Sequence, residues 1–233
     1  VEALKRPLPA VIETEGAPDN SSFRIYLSRQ AREKIFVAGS YNLGQSAFVR
    51  ENERGGVLLG NLYYDIVDGE RITYTAITDV MPADEAEAGS THVEFDGTML
   101  SKVMEEANQY INDTGQNIRI VGWYHTHPGF GVFMSGTDQH TQRQIYGTDW
   151  HVAIVFDPIR RDYGLFYGKD STLCPGWYIF DMIAEGFAPP MKLRLRFNAS
   201  SVHSRRTEED FARLKEALVY EFHELFDPIK DVV

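Results

Sequence analysis

The chain has 233 residues, 43% of them hydrophobic, 24% charged and 12% aromatic, which is enough to bury one globular core and leaves no low-complexity tract or repeat. Lys and Arg number 23 against 34 Asp and Glu, a formal net charge of −11, so nucleic-acid phosphates are repelled at long range and no nucleic-acid partner is expected. The one cysteine, Cys174, excludes an internal disulfide and any site needing several thiolates, and a cytoplasmic location is expected. No run reaches the roughly 18 apolar residues of a membrane span, so neither membrane insertion nor secretion is expected.

Residues 1–22 carry three prolines and the polar cluster Asp19-Asn20-Ser21-Ser22, and read as an N-terminal tail or an arm along a sheet edge. Phe23-Arg24-Ile25-Tyr26-Leu27 alternates like a half-buried strand, and Ser28 then caps a helix that places Ala31, Ile35 and Phe36 on one face and ends near Gly39. Residues 55–62 form a short apolar run between glycines, a buried strand, with a hairpin partner over 71–77 across Asp68-Gly69. The small, acidic residues 82–92 suggest a loop, and Phe95 to Ile111 has Met99, Val103, Ala107 and Tyr110 at helical spacing.

Asn117 to Tyr124 is a further strand, a short helix opens at Thr137-Asp138 and runs to about Ile145, and residues 151–156, 164–167 and 177–180 are three more strands. Lys192 to Phe197 alternates like an edge strand, and Thr207-Glu208-Glu209-Asp210 resembles a capping box ahead of an amphipathic helix through Phe211, Leu214, Leu218, Phe222 and Leu225. The order implies an α/β protein with a central mixed β-sheet flanked by helices. The chain divides into a tail (1–22), a catalytic domain (23–185) and a C-terminal extension (186–233) whose helix packs on or beside that domain.

Chemistry concentrates where the strand over 117–124 ends. Two of the 7 histidines, His125 and His127, stand one residue apart, so in an extended chain both side chains point to one face while Thr126 points to the other. Two converging imidazoles invite a metal ion, and a hydrolytic zinc site needs a third protein ligand with one position open. Asp138 is the best third ligand, because the glycine-rich loop 129–136 can fold back and bring its carboxylate beneath the histidines. A general base must then take a proton from the water. Glu53, just before the strand at 55–62, is so placed if that strand pairs with 117–124, with Glu51 as its rival. Ser135 would donate a hydrogen bond to the oxyanion of a tetrahedral intermediate.

These residues resemble the signature of the JAMM (MPN-plus) metalloproteases: a glutamate on an early strand, then His-Ser/Thr-His, seven residues, Ser, two residues and Asp. Here they are Glu53, His125-Thr126-His127, Ser135 and Asp138, and the resemblance extends over roughly residues 23–167. It implies the MPN/JAB (cytidine-deaminase-like) fold, one catalytic Zn2+ on His125, His127 and Asp138, with Glu53 and Ser135 as the catalytic pair. It also implies an isopeptidase or peptidase that removes ubiquitin or a ubiquitin-like protein from a conjugate or precursor, binding its extended C-terminal tail. Cys174 stands alone with no His-x-His after it, so a second, structural zinc is not expected. A processing peptidase for a sulfur-carrier or modifier precursor is the enzymatic alternative, and a non-catalytic scaffold of the same fold is the other. Loop 129–134, with Phe130 and Phe133, is placed to cover the metal. His140 and His151 read as surface or core histidines outside the site, and Cys174 as a buried structural thiol.

Overall fold

The computed structural model describes residues 2–19, 22–40, 53–83 and 97–187, all within one compact unit, Val1–Leu195. The edge strand and amphipathic helix expected beyond residue 187 lie outside the described residues, as does most of the acidic loop.

Ser28 ends strand β3 (Phe23–Ser28) and caps helix α1 (Arg29–Ser40): its Oγ accepts the Ala31 N–H at 3.0 Å, satisfying one of the donors that every helix start leaves over. β4 (Gly55–Val67) and β5 (Glu70–Pro82) form a hairpin through Asp68-Gly69, with φ of 53° and 84°, the pair of left-handed residues that a tight hairpin turn asks for. Both strands outrun the expected 55–62 and 71–77: β4 continues past its buried half as an exposed ribbon, whereas β5 runs on at its other end through the buried Thr78, Asp79 and Val80. α2 (Gly97–Thr114) leads to β6 (Arg119–Thr126), α3 (Gly136–Ile145), β7 (Val152–Asp157) and β8 (Asp162–Tyr167). The short β9 (Thr172–Leu173) and then β10 (Gly176–Phe180) complete the order.

Residues 2–19 run along the sheet: β1 (Leu4–Lys5) lies parallel to β4, and β2 (Glu13–Gly16) pairs antiparallel with β10. Among the described residues the sheet order is β2-β10-β3-β5-β4-β6-β7-β8-β9, with β1 beside β4. It is mixed, since β10, β3 and β5 run parallel to one another, β6 runs parallel to β7 and β1 to β4, while the other neighbours are antiparallel.

Both faces of the central strands are covered, which is why β4, β6 and β7 read as continuous apolar runs. On one face Ala31 and Ile35 of α1 pack with Leu58, Tyr124 and Ile154; on the other Leu100, Val103 and Ala107 of α2 pack with Val57, Leu59, Trp123 and Val155. Strand alternation puts His125 on the same face as Trp123, at the end of β6, where α3 begins to cross. No helix among the described residues is long and apolar enough to cross a membrane.

Candidate metal centre

β6 delivers His125, and His127 follows directly, held by its N–H donating to Phe156 O of β7 at 2.9 Å. The third group arrives on α3. Ser135 is its N-cap, with Oγ accepting the Asp138 N–H at 3.2 Å, while Asp138 Oδ2 accepts the Ser135 N–H at 2.7 Å, so a reciprocal capping box aims the carboxylate back towards β6.

Two imidazoles and one carboxylate therefore meet at a point. His125 Nε2 and His127 Nε2 are 3.2 Å apart, and Asp138 Oδ2 stands 3.3 Å from the first and 3.5 Å from the second. All three residues are buried, at 1%, 3% and 7% exposure. In a tetrahedral zinc site with bonds of about 2.0–2.1 Å, ligand atoms are separated by about 3.3–3.4 Å, so the triangle has the size such an ion requires. The donor set, two nitrogens and one oxygen with a side left over, also fits a catalytic zinc site. Glu53 stands beside the triangle, its Oε1 3.9 Å from His127 Nε2 and its side chain 28% exposed.

The electrostatics follow from that crowding. Burial alone would raise the Asp138 carboxyl, but hydrogen bonds from His125, His127 and Ser135 hold it far below the ordinary carboxylate range. Burial opposes charge on His127, yet the carboxylates of Asp138 and Glu53 raise its pKa above the usual imidazole value. The centre thus stabilises positive charge between two carboxylates, the condition a divalent cation meets.

The loop after His127 is fastened from below by Asp157, fully buried at the end of β7. Its carboxylate accepts N–H groups from Gly129 (2.9 Å), Gly131 (2.8 Å), Ile159 (3.0 Å) and Arg160 (3.1 Å). Gly129 and Gly131 adopt φ of 83° and 92°, left-handed values that let consecutive turns bring both N–H groups onto one carboxylate. The loop then returns Phe133 over the His127 ring, with centroids 4.7 Å apart, while Phe130 is 69% exposed.

All five residues singled out from the sequence, Glu53, His125, His127, Ser135 and Asp138, are therefore neighbours. The oxygen of Ser135 serves as a helix cap here, which leaves the hydroxyl proton available for donation. His140 is exposed on α3, and His151 meets Tyr146 edge-on and Trp150 at a tilt, outside the cluster. Cys174 is buried and its thiol donates to Gly176 O. Glu51, His92, His203 and His223 lie outside the described residues. Asp157, Gln142 and the hydroxyl of Thr126 were not singled out from the sequence. Asp157-Pro158 carries only the signal of a turn, and a buried Gln142 four residues after Asp138 is visible as the same helix face once α3 is placed.

Residues 33–148 match the family described as JAB1/Mov34/MPN/PAD-1 ubiquitin protease. Among curated proteins, 26S proteasome regulatory subunit RPN11 of Eremothecium gossypii is 32% identical over 151 residues, 63% of this chain and 42% of that protein. Ubiquitin carboxyl-terminal hydrolase RPN11 of Saccharomyces cerevisiae is 28% identical over 144 residues, 61% of this chain and 41% of that protein. COP9 signalosome complex subunit 5 of Caenorhabditis elegans is 50% identical over 78 residues, 33% of this chain and 19% of that protein. The chain thus spans at most 42% of the length of these relatives.

Proposed function

This chain belongs to the JAB1/Mov34/MPN/PAD-1 family, and from that premise we propose that it is a zinc-dependent isopeptidase or peptidase that cleaves ubiquitin or a ubiquitin-like modifier from its conjugate or precursor. The observation that carries this reading is the buried triangle of His125 Nε2, His127 Nε2 and Asp138 Oδ2, with a second carboxylate, Glu53, one step away. A relative named for ubiquitin carboxyl-terminal hydrolysis supports the substrate class.

His125, His127 and Asp138 would hold the metal, which when bound supplies Lewis-acid chemistry: it acidifies water and polarises a carbonyl. Glu53 receives the proton of the attacking water and returns it to the leaving amine. The Ser135 hydroxyl, oriented by its cap bond to Asp138 N, donates to the oxyanion. Phe133 shields one face of His127 from solvent, and the exposed Phe130 beside it offers an apolar contact for the modifier's extended tail. The lone thiol of Cys174, buried and outside this arrangement, supports a reducing compartment such as the cytoplasm.

The test is cleavage of a ubiquitin or ubiquitin-like fusion by purified protein with zinc, with chelator, and with Glu53→Gln. Chelation should abolish cleavage, and Glu53→Gln should lower kcat by about a hundredfold or more with zinc still bound. Activity undiminished by both changes overturns the proposal. Zinc content near zero in protein never exposed to chelator would point to a non-catalytic scaffold.

A further inference from the structure

Thr126 stands between two of the proposed ligands but points away from them, and it is completely buried (0% exposed), in a place where packing alone would be served by a valine of the same shape. Its hydroxyl has a defined partner. Oγ1 accepts the Arg54 N–H at 2.9 Å, while the Thr126 N–H donates to Arg54 O at 2.7 Å. In a continuing antiparallel ladder the opposite residue would exchange both bonds through its main chain. The last regular pair is Gly55 with His125, and one step beyond it the Thr126 side-chain oxygen takes the place of a carbonyl.

The ladder is thereby extended by one rung, although β6 is already leaving towards the loop. Arg54 is held at donor and acceptor by a single residue, and the next residue back is Glu53, with its carboxylate 3.9 Å from His127 Nε2. A glutamate side chain has three rotatable bonds, so a carboxylate can stay near a chosen point only if the peptide that carries it does not drift.

We propose that Thr126 is a positioning residue for Glu53: its hydroxyl fastens the Arg54 peptide and so fixes the general base against the His125, His127 and Asp138 triangle. The proposal rests on the isopeptidase reading for its kinetic consequences, while the clamp itself is observable without activity.

The full chain is compared with Thr126→Val, Thr126→Ser, Glu53→Gln and the Thr126→Val/Glu53→Gln double variant. Thr126→Val should lower kcat by about tenfold to a hundredfold, the range for groups that orient a metal site's reacting residues. KM and zinc affinity, the latter by competition with a chromogenic chelator, should stay within about twofold. Thr126→Ser should behave as the parent. In the double variant Thr126→Val should add almost nothing to the loss from Glu53→Gln, because both act on one group. Amide exchange at Arg54 should quicken by about tenfold or more in Thr126→Val and remain slow in Thr126→Ser. A Thr126→Val protein with parental kcat, one that loses zinc together with activity, or a serine variant as impaired as the valine overturns the proposal. Should the parent show no zinc-dependent cleavage, the proposed function falls separately. The clamp is then judged by Arg54 exchange alone, and equal rates in parent and Thr126→Val overturn it.

Discussion

The carboxylate of Asp157 is cut off from solvent, a position in which a charge is costly unless hydrogen bonds replace the lost water. Burial raises its pKa, but the N–H groups of Gly129, Arg160, Gly131 and Ile159 outweigh that and lower it, so the ion is kept. Two of those donors belong to the loop that follows His127 and two to the turn after β7, so one side chain joins loop to turn. Asp157→Asn keeps the volume but turns one acceptor into an NH2 group that faces a backbone donor. Leaving such a donor buried and unmatched costs about 1–3 kcal/mol. A urea titration should show that loss relative to the parent, and an unchanged midpoint would mean the loop is held by something other than this carboxylate. His127 should keep its place in the variant, because its N–H bond to Phe156 O does not involve the loop.

At the scale of elements, α3 is the part that turns a strand with two histidines into a cluster of three candidate ligands. It is a polar helix of 10 residues whose buried side chains are Asp138 and Gln142, one turn apart. Gln142 is 0% exposed: its Oε1 accepts the Trp123 indole N–H at 2.7 Å and its Nε2 donates to Gly168 O at 3.2 Å. Trp123 in turn lies flat against His125, with centroids 4.5 Å apart and an interplanar angle of 13°. The register of α3 on β6 therefore governs both the His125 ring and the Asp138 carboxylate. Gln142→Leu, which strands an indole donor and a carbonyl, should weaken zinc binding by about tenfold to a hundredfold, as loss of orienting partners commonly does. If stability falls while zinc affinity is unchanged, Gln142 is a packing residue only. Those elements whose signals are local were legible in the sequence: the Ser28 cap, the Asp68-Gly69 turn, the apolar runs of β4 and β7, and the His125, His127, Ser135 and Asp138 spacing across one loop. The strands β1, β2 and β9 were not. Glu13–Gly16 has no apolar alternation, and becomes a strand only because Gly176–Ile179, far along the chain, pairs with it. The roles of Thr126, Gln142 and Asp157 were hidden for the same reason: each is defined by a backbone or indole group brought near by folding.

For the molecule as a whole, acid should weaken the fold before the ordinary carboxylates titrate, and His151 supplies one identifiable part of that loss. It lies where α3 and β7 meet, its ring 5.3 Å from Tyr146 and 3.9 Å from Trp150. Its main chain ties the two ends of that region together, with the His151 N–H donating to Thr148 O at 3.2 Å and Gly168 N–H donating to His151 O at 3.1 Å. Burial pushes the imidazole down to about 4, against a hydrogen bond from the ring to the Tyr146 backbone carbonyl that works the other way. An unfolded chain has its histidine at about 6.5, so between those values the unfolded state takes up a proton that the folded state refuses. The contribution is fully present above pH 6.5 and is lost as pH falls towards 4; at about 1.4 kcal/mol per unit it reaches about 3 kcal/mol at most. His151→Phe keeps a ring against Tyr146 and Trp150 and removes the titration. Unfolding free energies of parent and variant, measured by denaturant at intervals from pH 7.5 to 4, should therefore converge in favour of the variant as the pH drops. A difference between them that does not change with pH would show that His151 is protonated equally in both states, and would remove burial of a neutral imidazole as a source of this protein's acid sensitivity.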